Sequence, residues 1–266
     1  MPSLSVQERT IAYEDAGAGD PIVWLQGTGE STQGFIAQTS VLSRTHRCVA
    51  IDHRDVGRSS YVDEPYSPKE LAADAAAVMD ALGVGPAHIV GYSLGGATAQ
   101  ELALARPDLV RSVVLLSTWA RSDGWFEAQM RNWQSIRRAH WDDEAAFLGA
   151  LGPWLWSPAT YGTPGLVEGL TGLMLAEEPA QRPDGWIRQC DADIAHDAGS
   201  RLGSVSAPAL VIVGEDDVCT PPRYARELCD LLQNAELRTI PGAAHGALAE
   251  RPAEVTAAID GFLARH

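Results

Sequence analysis

The sequence predicts an α/β fold: a mostly parallel, doubly wound sheet with helices on both faces and a helical cap inserted late in the chain. Three observations predict it. Short runs rich in β-branched residues alternate with helix-period segments, the pattern of strand–helix–strand units. The runs are apolar throughout rather than alternating, as strands covered on both faces are. Between residues 119 and 203 that rhythm stops, and no strand-like run appears.

The strands are expected at 21–25 (PIVWL), 47–51 (RCVAI), 87–90 (AHIV), 112–116 (SVVLL), 209–213 (ALVIV) and 237–240 (LRTI). A hairpin over 3–13 is a weaker expectation. A helix should open at Ser67-Pro68-Lys69-Glu70, a capping box with proline at the first helical position, and close at Gly83. Leu71, Ala75, Val78 and Leu82 recur there at helical spacing and should face the sheet. Further helices fit 94–106, ended by Pro107, then 222–232 and 252–264. Residues 1–118 and 204–266 thus read as one core, with 119–203 as a helical cap inserted in it. Seven of the eight tryptophans fall in that insertion: Trp119, Trp125, Trp133, Trp141, Trp154, Trp156 and Trp186.

Composition bounds the function. With 45% hydrophobic residues over 266 positions, the chain can bury a large core without covalent staples. A net charge of −15 and the lack of any Lys/Arg run argue against a nucleic-acid partner. Cys48, Cys190, Cys219 and Cys229 show neither C-x-x-C nor metal-ligand spacing, so free thiols in a reducing compartment are expected. The opening MPSLSVQERT lacks the basic and apolar stretches of a signal peptide, and no apolar run approaches the ~20 residues of a membrane span. A soluble cytoplasmic protein, acting on a small molecule and without a membrane partner, is the expectation.

Gly91-Tyr92-Ser93-Leu94-Gly95 matches G-x-S-x-G between a predicted strand and a predicted helix. A serine on so sharp a turn needs small neighbours, and the turn exposes its hydroxyl at a helix N-terminus. Ser93 is therefore the candidate nucleophile. It needs a base, and the base needs an orienting acid. On strand–elbow–helix scaffolds the chain order is Ser, then Asp or Glu, then His. Of seven histidines, only His245 lies on a small-residue loop (PGAAHGALAERP) between the last predicted strand and the last helix, so it is the candidate base. His46, His53 and His88 adjoin strands and read as structural; His140 and His196 fall in the cap, and His266 is terminal. The acid should lie in GEDDVCTPP. The usual spacing, three positions after Gly214, selects Asp217, with Asp216 in reserve and Glu215 and Asp123 as alternatives. An oxyanion needs two backbone donors. Leu94 N–H follows the nucleophile directly. The second should come from Gln26-Gly27-Thr28-Gly29, with Thr28 favoured over Gly27 and Gly29.

With these four stretches in this order, the chain resembles the α/β-hydrolase superfamily over essentially its full length. Residues 82–116 (LGVGPAHIVGYSLGGATAQELALARPDLVRSVVLL) resemble the nucleophile region of 3-oxoadipate enol-lactonases and related small esterases. Asp52-His53-Arg54-Asp55-Val56-Gly57-Arg58-Ser59 resembles the D-x-R-G-x-G-x-S loop, as in methylesterases of aromatic polyketide pathways, with Asp55 where glycine is commoner. Gln26-Gly27 stands where relatives usually carry His-Gly. The resemblance implies hydrolysis of a carboxylic ester or lactone through Ser93, His245 and Asp217, with no metal or organic cofactor, and a homodimer would be common for the fold. Gln26 and Gly27, on the oxyanion loop, and Trp119 and Trp125, at the start of the cap, are the expected substrate contacts. The same three residues also serve carbon–carbon bond hydrolases, where a cap arginine (Arg121, Arg131 or Arg188) or asparagine would hold a dienoate. They serve cofactor-free haloperoxidase or perhydrolase activities too, and a non-catalytic ligand-binding member is a further alternative.

Overall fold

The computed structural model describes residues 2–6, 8–177 and 179–266. Met1 and Gln7 of the predicted core, Gln7 also within the predicted hairpin, and Glu178 of the predicted cap lie outside the described residues. In chain order the elements are β1 (Ser3–Val6), β2 (Arg9–Gly17), β3 (Asp20–Leu25), α1 (Ile36–Leu42), β4 (His46–Ile51), α2 (Pro68–Leu82) and β5 (Ala87–Tyr92). Then come α3 (Leu94–Ala105), β6 (Val110–Leu116), α4 (Gly124–Ala139), α5 (Glu144–Leu155), α6 (Pro158–Tyr161), α7 (Leu166–Leu175) and α8 (Pro183–Ala195). The chain finishes with β7 (Ala209–Gly214), α9 (Pro222–Leu231), β8 (Ala235–Ile240), α10 (Ala247–Glu250) and α11 (Pro252–Leu263).

The eight strands form one sheet in the order β1-β2-β4-β3-β5-β6-β7-β8. β1–β2 and β2–β4 pair antiparallel, and every other pair is parallel. The sheet is doubly wound, and strand residues of opposite parity feed two cores. Val23, Leu25, Val49, Ile51, Ile89, Val113, Leu115 and Val211 pack with Ala75 and Val78 of α2, Leu102 of α3 and Leu228 of α9. Ile22, Trp24, Ala50, Val90, Val114, Leu116 and Ile212 pack on the other face with Phe35, Leu42 of α1 and Ile259 and Phe262 of α11. Each such side chain, fully withdrawn from water, contributes about 1.5–3 kcal/mol, which is why these strands are apolar on both faces. The capping box of α2 forms as its sequence requires: Ser67 Oγ accepts from Lys69 N while Glu70 accepts from Ser67 N, and Gly83 closes the helix at φ +61°.

Two elements depart from the expectation. α1 has no periodicity long enough to announce it; Ser31 caps the short turn before it, and Gln38 and Leu42 are its buried positions. β8 is longer than the predicted run and is an edge strand, with Leu237 exposed, so its apolar residues do not mark two-sided burial.

Between β6 and β7 the described residues contribute no strand to the sheet. α4 to α8 lie there, and their hydrogen bonds reach the loops that follow β3, β4 and β8. Those loops sit at the carboxyl ends of the strands, where ligands bind in open α/β sheets. No described helix is long and apolar enough to cross a membrane.

Candidate active site

Ser93 occupies the turn between β5 and α3 with φ +52° and ψ −116°, a conformation an L-residue adopts only when its surroundings impose it. The imposition is visible. Ser93 N–H donates to Leu116 O at 2.9 Å, and Thr118 Oγ1 donates to Ser93 O at 2.8 Å. Gly91 and Gly95 allow the close approach: a Cβ on Gly95 would sit 1.9 Å from Leu25 O, and one on Gly91 would sit 2.2 Å from Gly95 O. The strand, the turn and the helix behind it can meet only if both positions lack side chains.

His245 lies on the loop between β8 and α10, its ring 5.2 Å from that of Tyr92. The loop is pinned on either side of it. Ala244 N–H donates to the buried carboxylate of Glu250 at 2.6 Å, and Gly246 N–H donates to Leu155 O at 2.9 Å. Its Nε2 is 3.2 Å from Ser93 Oγ, and its Nδ1 is 3.1 Å from Asp217 Oδ2. With the proton on Nδ1, the ring donates to Asp217 and offers Nε2 as acceptor to the serine hydroxyl.

Among the acidic candidates, the structure brings only Asp217 to the histidine. Glu215 and Asp216 are exposed, and Asp123 is the N-cap of α4, accepting from Phe126 N and Tyr224 Oη. Asp217 is buried, and its Oδ1 accepts the N–H groups of Cys219 (2.9 Å) and Thr220 (2.8 Å). Thr220 Oγ1 donates to Asp217 Oδ2 at 2.9 Å and lies 3.2 Å from His245 Nδ1. The sequence reading missed Thr220. Its only signal is its place three residues after an aspartate in a tight turn.

On the loop after β3, Gly29 N–H is taken by Gln189 Oε1 at 2.8 Å, which removes Gly29 from the donors free to meet an oxyanion. Among the described residues, the N–H groups of Thr28 and Leu94 have no hydrogen-bond acceptor. Gln26 is fully buried, and neither polar atom of its side chain has a partner among the described residues. Gln26 Oε1 and the equally unpartnered Glu30 Oε2 both lie beside Gly34, and Gly27 abuts the Tyr92 ring. Burial and the nearby Glu177 carboxylate raise the Glu30 carboxyl to about 8. Burial, with help from Arg54, lowers His53 to about 4. Near pH 7 both are neutral.

An apolar cluster adjoins the three residues. It runs from Ala97, one turn beyond Ser93, and Cys219, two residues beyond Asp217, to Trp119, Phe126, Met130 and Trp133. Trp119 is completely buried, stacked on Phe126 with centroids 4.1 Å apart. Trp125 lies on the outer side of α4. It is 51% exposed, because the buried face of α4 passes through Phe126, Gln129, Met130 and Trp133 and leaves position 125 outside. Two other tryptophans lie against the loops instead: Trp186 covers Gly29, and Trp156 covers Gly246. Nothing in their local sequence distinguishes them, since the contacts are set by packing between distant segments. A cavity of about 490 Å³ lined by Glu14, Ser31, Thr32, Asp52, Arg58 and Pro179 contains none of Ser93, Asp217 and His245. Among the described residues, no three His, Cys, Asp or Glu side chains are grouped to hold a metal ion.

Comparison with known proteins agrees with this architecture. Residues 20–157 match the family model described as the alpha/beta hydrolase fold, and residues 184–265 match one described as TAP-like protein. The "Putative non-heme bromoperoxidase BpoC" of Mycobacterium tuberculosis is 30% identical, over 96% of this chain and 97% of the relative. The "Putative carbamate hydrolase RutD" of Azorhizobium caulinodans is 29% identical, over 95% of this chain and 94% of the relative. The solved structure of Est816, described as an N-acyl homoserine lactone degrading enzyme, superposes with a TM-score of 0.83 at 29% identity, covering 98% of this chain and all of that one. The matched family model, the full-length relatives and the sheet order lead to one conclusion: this chain belongs to the α/β-hydrolase family.

Proposed function

We propose that this hydrolase cleaves a carboxylic ester or lactone of a small apolar or aromatic compound, with Ser93 as nucleophile. The observation that carries the reading is the chain of contacts Ser93 Oγ–His245 Nε2–His245 Nδ1–Asp217 Oδ2 at 3.2 and 3.1 Å. Ser93 Oγ attacks the carbonyl carbon as its proton passes to His245 Nε2. Asp217 holds the ring by Nδ1–H and stabilises the imidazolium. The N–H groups of Leu94 and Thr28 receive the developing oxyanion; losing one such donor costs about 10²–10³-fold in turnover. His245 returns its proton to the departing alkoxide, leaving an acyl-serine. Water, deprotonated by His245, then attacks that acyl group, and Ser93 leaves with the proton as the acid is released. In a lactone both products stay in one molecule.

The apolar cluster of Trp119, Phe126, Met130 and Trp133 beyond Ser93 supports an apolar or aromatic substrate. Residues 119–203 act as a cap over the site in this reading. The three cap arginines that the carbon–carbon bond alternative would call on are each ion-paired among the described residues. Arg188 is paired with Asp55 and Asp184, Arg131 with Glu127, and Arg121 with Glu227. Perhydrolysis stays open as a second reading, favoured by the likeness to BpoC: peroxide in place of water would release a peracid from the same acyl-serine.

A panel of p-nitrophenyl esters of graded length, aryl lactones, methyl esters and a meta-cleavage dienoate tests the reading. Turnover of short esters or lactones, abolished in Ser93→Ala, is expected; turnover of the dienoate alone would contradict it.

A further inference from the structure

One face of α8 is built against the oxyanion loop. Trp186, Gln189 and Asp193 recur at i, i+3 and i+7, so they line a single stripe of the helix. Each touches a different part of the loop after β3. Asp193 Oδ2 accepts from Thr28 Oγ1 at 2.8 Å, Gln189 Oε1 accepts from Gly29 N at 2.8 Å, and the Trp186 ring occupies the space a Cβ on Gly29 would need. Gly29 has φ +83°, so the chain turns sharply where it is held. The stripe is itself anchored. Gln189 Nε2 donates to Arg54 O at 3.2 Å, Gln181 Nε2 donates to Gln189 Oε1 at 2.9 Å, and the neighbouring Arg188 grips Asp55. Thr28 is thereby tethered through its own hydroxyl and through the N–H of the residue after it, while its own N–H has no acceptor among the described residues.

We propose that α8 is the template of the oxyanion hole, with Gln189 and Asp193 as positioning residues that aim the Thr28 N–H. The inference rests on the serine-hydrolase reading above. The logic is geometric. A loop rich in glycine, Gln26-Gly27-Thr28-Gly29, has little rigidity of its own. A donor displaced by about 1 Å can cost on the order of 10²-fold in rate. Two hydrogen bonds from one helical face fix the loop at the donor's own residue and at the residue after it. Asp193 suits the task as a neutral acceptor, since burial raises its carboxyl to about 8.

The test uses the whole protein in three variants. Thr28→Val keeps the backbone N–H and the side-chain shape but cuts the tether; Gln189→Leu removes the second tether; Asp193→Asn keeps an oxygen for the Thr28 hydroxyl. For p-nitrophenyl acetate, kcat in the first two should fall about 10- to 100-fold with KM within about twofold, the signature of an interaction made in the transition state. Their affinity for an aryl boronic acid, which forms a tetrahedral adduct on serine, should fall in parallel, and Asp193→Asn should recover most of both quantities. If Gln189→Leu does not fold, Thr28→Val decides alone. Unchanged kcat, or kcat and KM shifting together, in a variant that keeps its melting transition would overturn the template. A wild-type protein that neither turns over esters nor binds the boronic acid would instead overturn the serine-hydrolase reading, and this inference with it.

Discussion

Asp55 and Arg188 meet in a two-point ion pair, Nε to Oδ2 at 2.8 Å and Nη2 to Oδ1 at 3.0 Å, with the Asp55 side chain fully withdrawn from solvent. Asp55 stands at φ +68°, at the position where glycine is commoner in the resembled D-x-R-G-x-G-x-S loop. Two effects compete there. Asp55→Gly relieves a left-handed residue, worth about 1 kcal/mol. It also strips a buried partner from Arg188 and an acceptor from Val62 N–H, and breaking a buried pair costs about 3–5 kcal/mol. Arg188 keeps Asp184, which softens the loss. The pair should win, so Asp55→Gly should lower stability by about 2–3 kcal/mol in urea unfolding. A more stable variant would show that backbone strain dominates.

Thr220 bridges the acid and the base. Thr220→Val removes a hydroxyl that donates to Asp217 Oδ2 but leaves both backbone N–H bonds to Oδ1 in place. A net hydrogen bond of this kind is worth about 0.5–1.5 kcal/mol. Turnover of a p-nitrophenyl ester should fall about three- to tenfold, with KM little changed, well short of the loss in Ser93→Ala. A drop as large as that of Ser93→Ala would mean that Thr220 does more than hold Asp217.

Two glycines make a matched pair. In Gly95→Ala the new methyl would lie 1.9 Å from the Leu25 carbonyl oxygen, a backbone atom that cannot swing aside. The variant should lose at least about 3 kcal/mol or fail to accumulate as folded protein. Gly124→Ala, at the first residue of α4 with open space around it, should be neutral or stabilising by about 0.4–1 kcal/mol. Melting temperatures of the two variants should move in opposite directions or differ by many degrees.

Three buried histidines weaken the fold towards acid pH. Burial first, and then Arg54, Arg111 and Arg201 respectively, lower His53 and His88 to about 4 and His196 to about 3. Folded-state values below the unfolded value of about 6.5 mean that the unfolded chain binds the extra protons. Their contribution is therefore present above about pH 6.5 and is lost as pH falls from there towards 4. Asp193 has the opposite sign. Raised by burial to about 8, it favours folding below about pH 4, and that contribution is lost as pH rises through 8. In thermal unfolding from pH 4 to 9, the stability of Asp193→Asn relative to wild type should grow from pH 4 to 8 and then level off. A constant difference would rule out a raised Asp193.

Much of the fold is legible in the chain because its determinants are local. Strands such as PIVWL and ALVIV declare two-sided burial by composition, and the Ser67–Glu70 box and Gly83 mark the ends of α2 without reference to anything distant. G-x-S-x-G is legible in part for the same reason, since Gly91 must make room for Gly95 within the motif, whereas Gly95 makes room for the distant Leu25. The rest depends on meetings across the sequence. Gln189 holds Gly29 across 160 positions, and Asp193 holds Thr28 across 165. No short pattern announces either. The contact of Trp186 with Gly29 is hidden for the same reason, since it joins segments far apart in the chain.

The central claim is that Ser93 is a nucleophile activated by His245. Reaction with a fluorophosphonate, followed by mass spectrometry of the digested protein, tests it most directly. The account predicts stoichiometric modification on Ser93, slowed by at least about 10³-fold in His245→Ala. A wild-type protein left unmodified, or modified equally fast without His245, would contradict it.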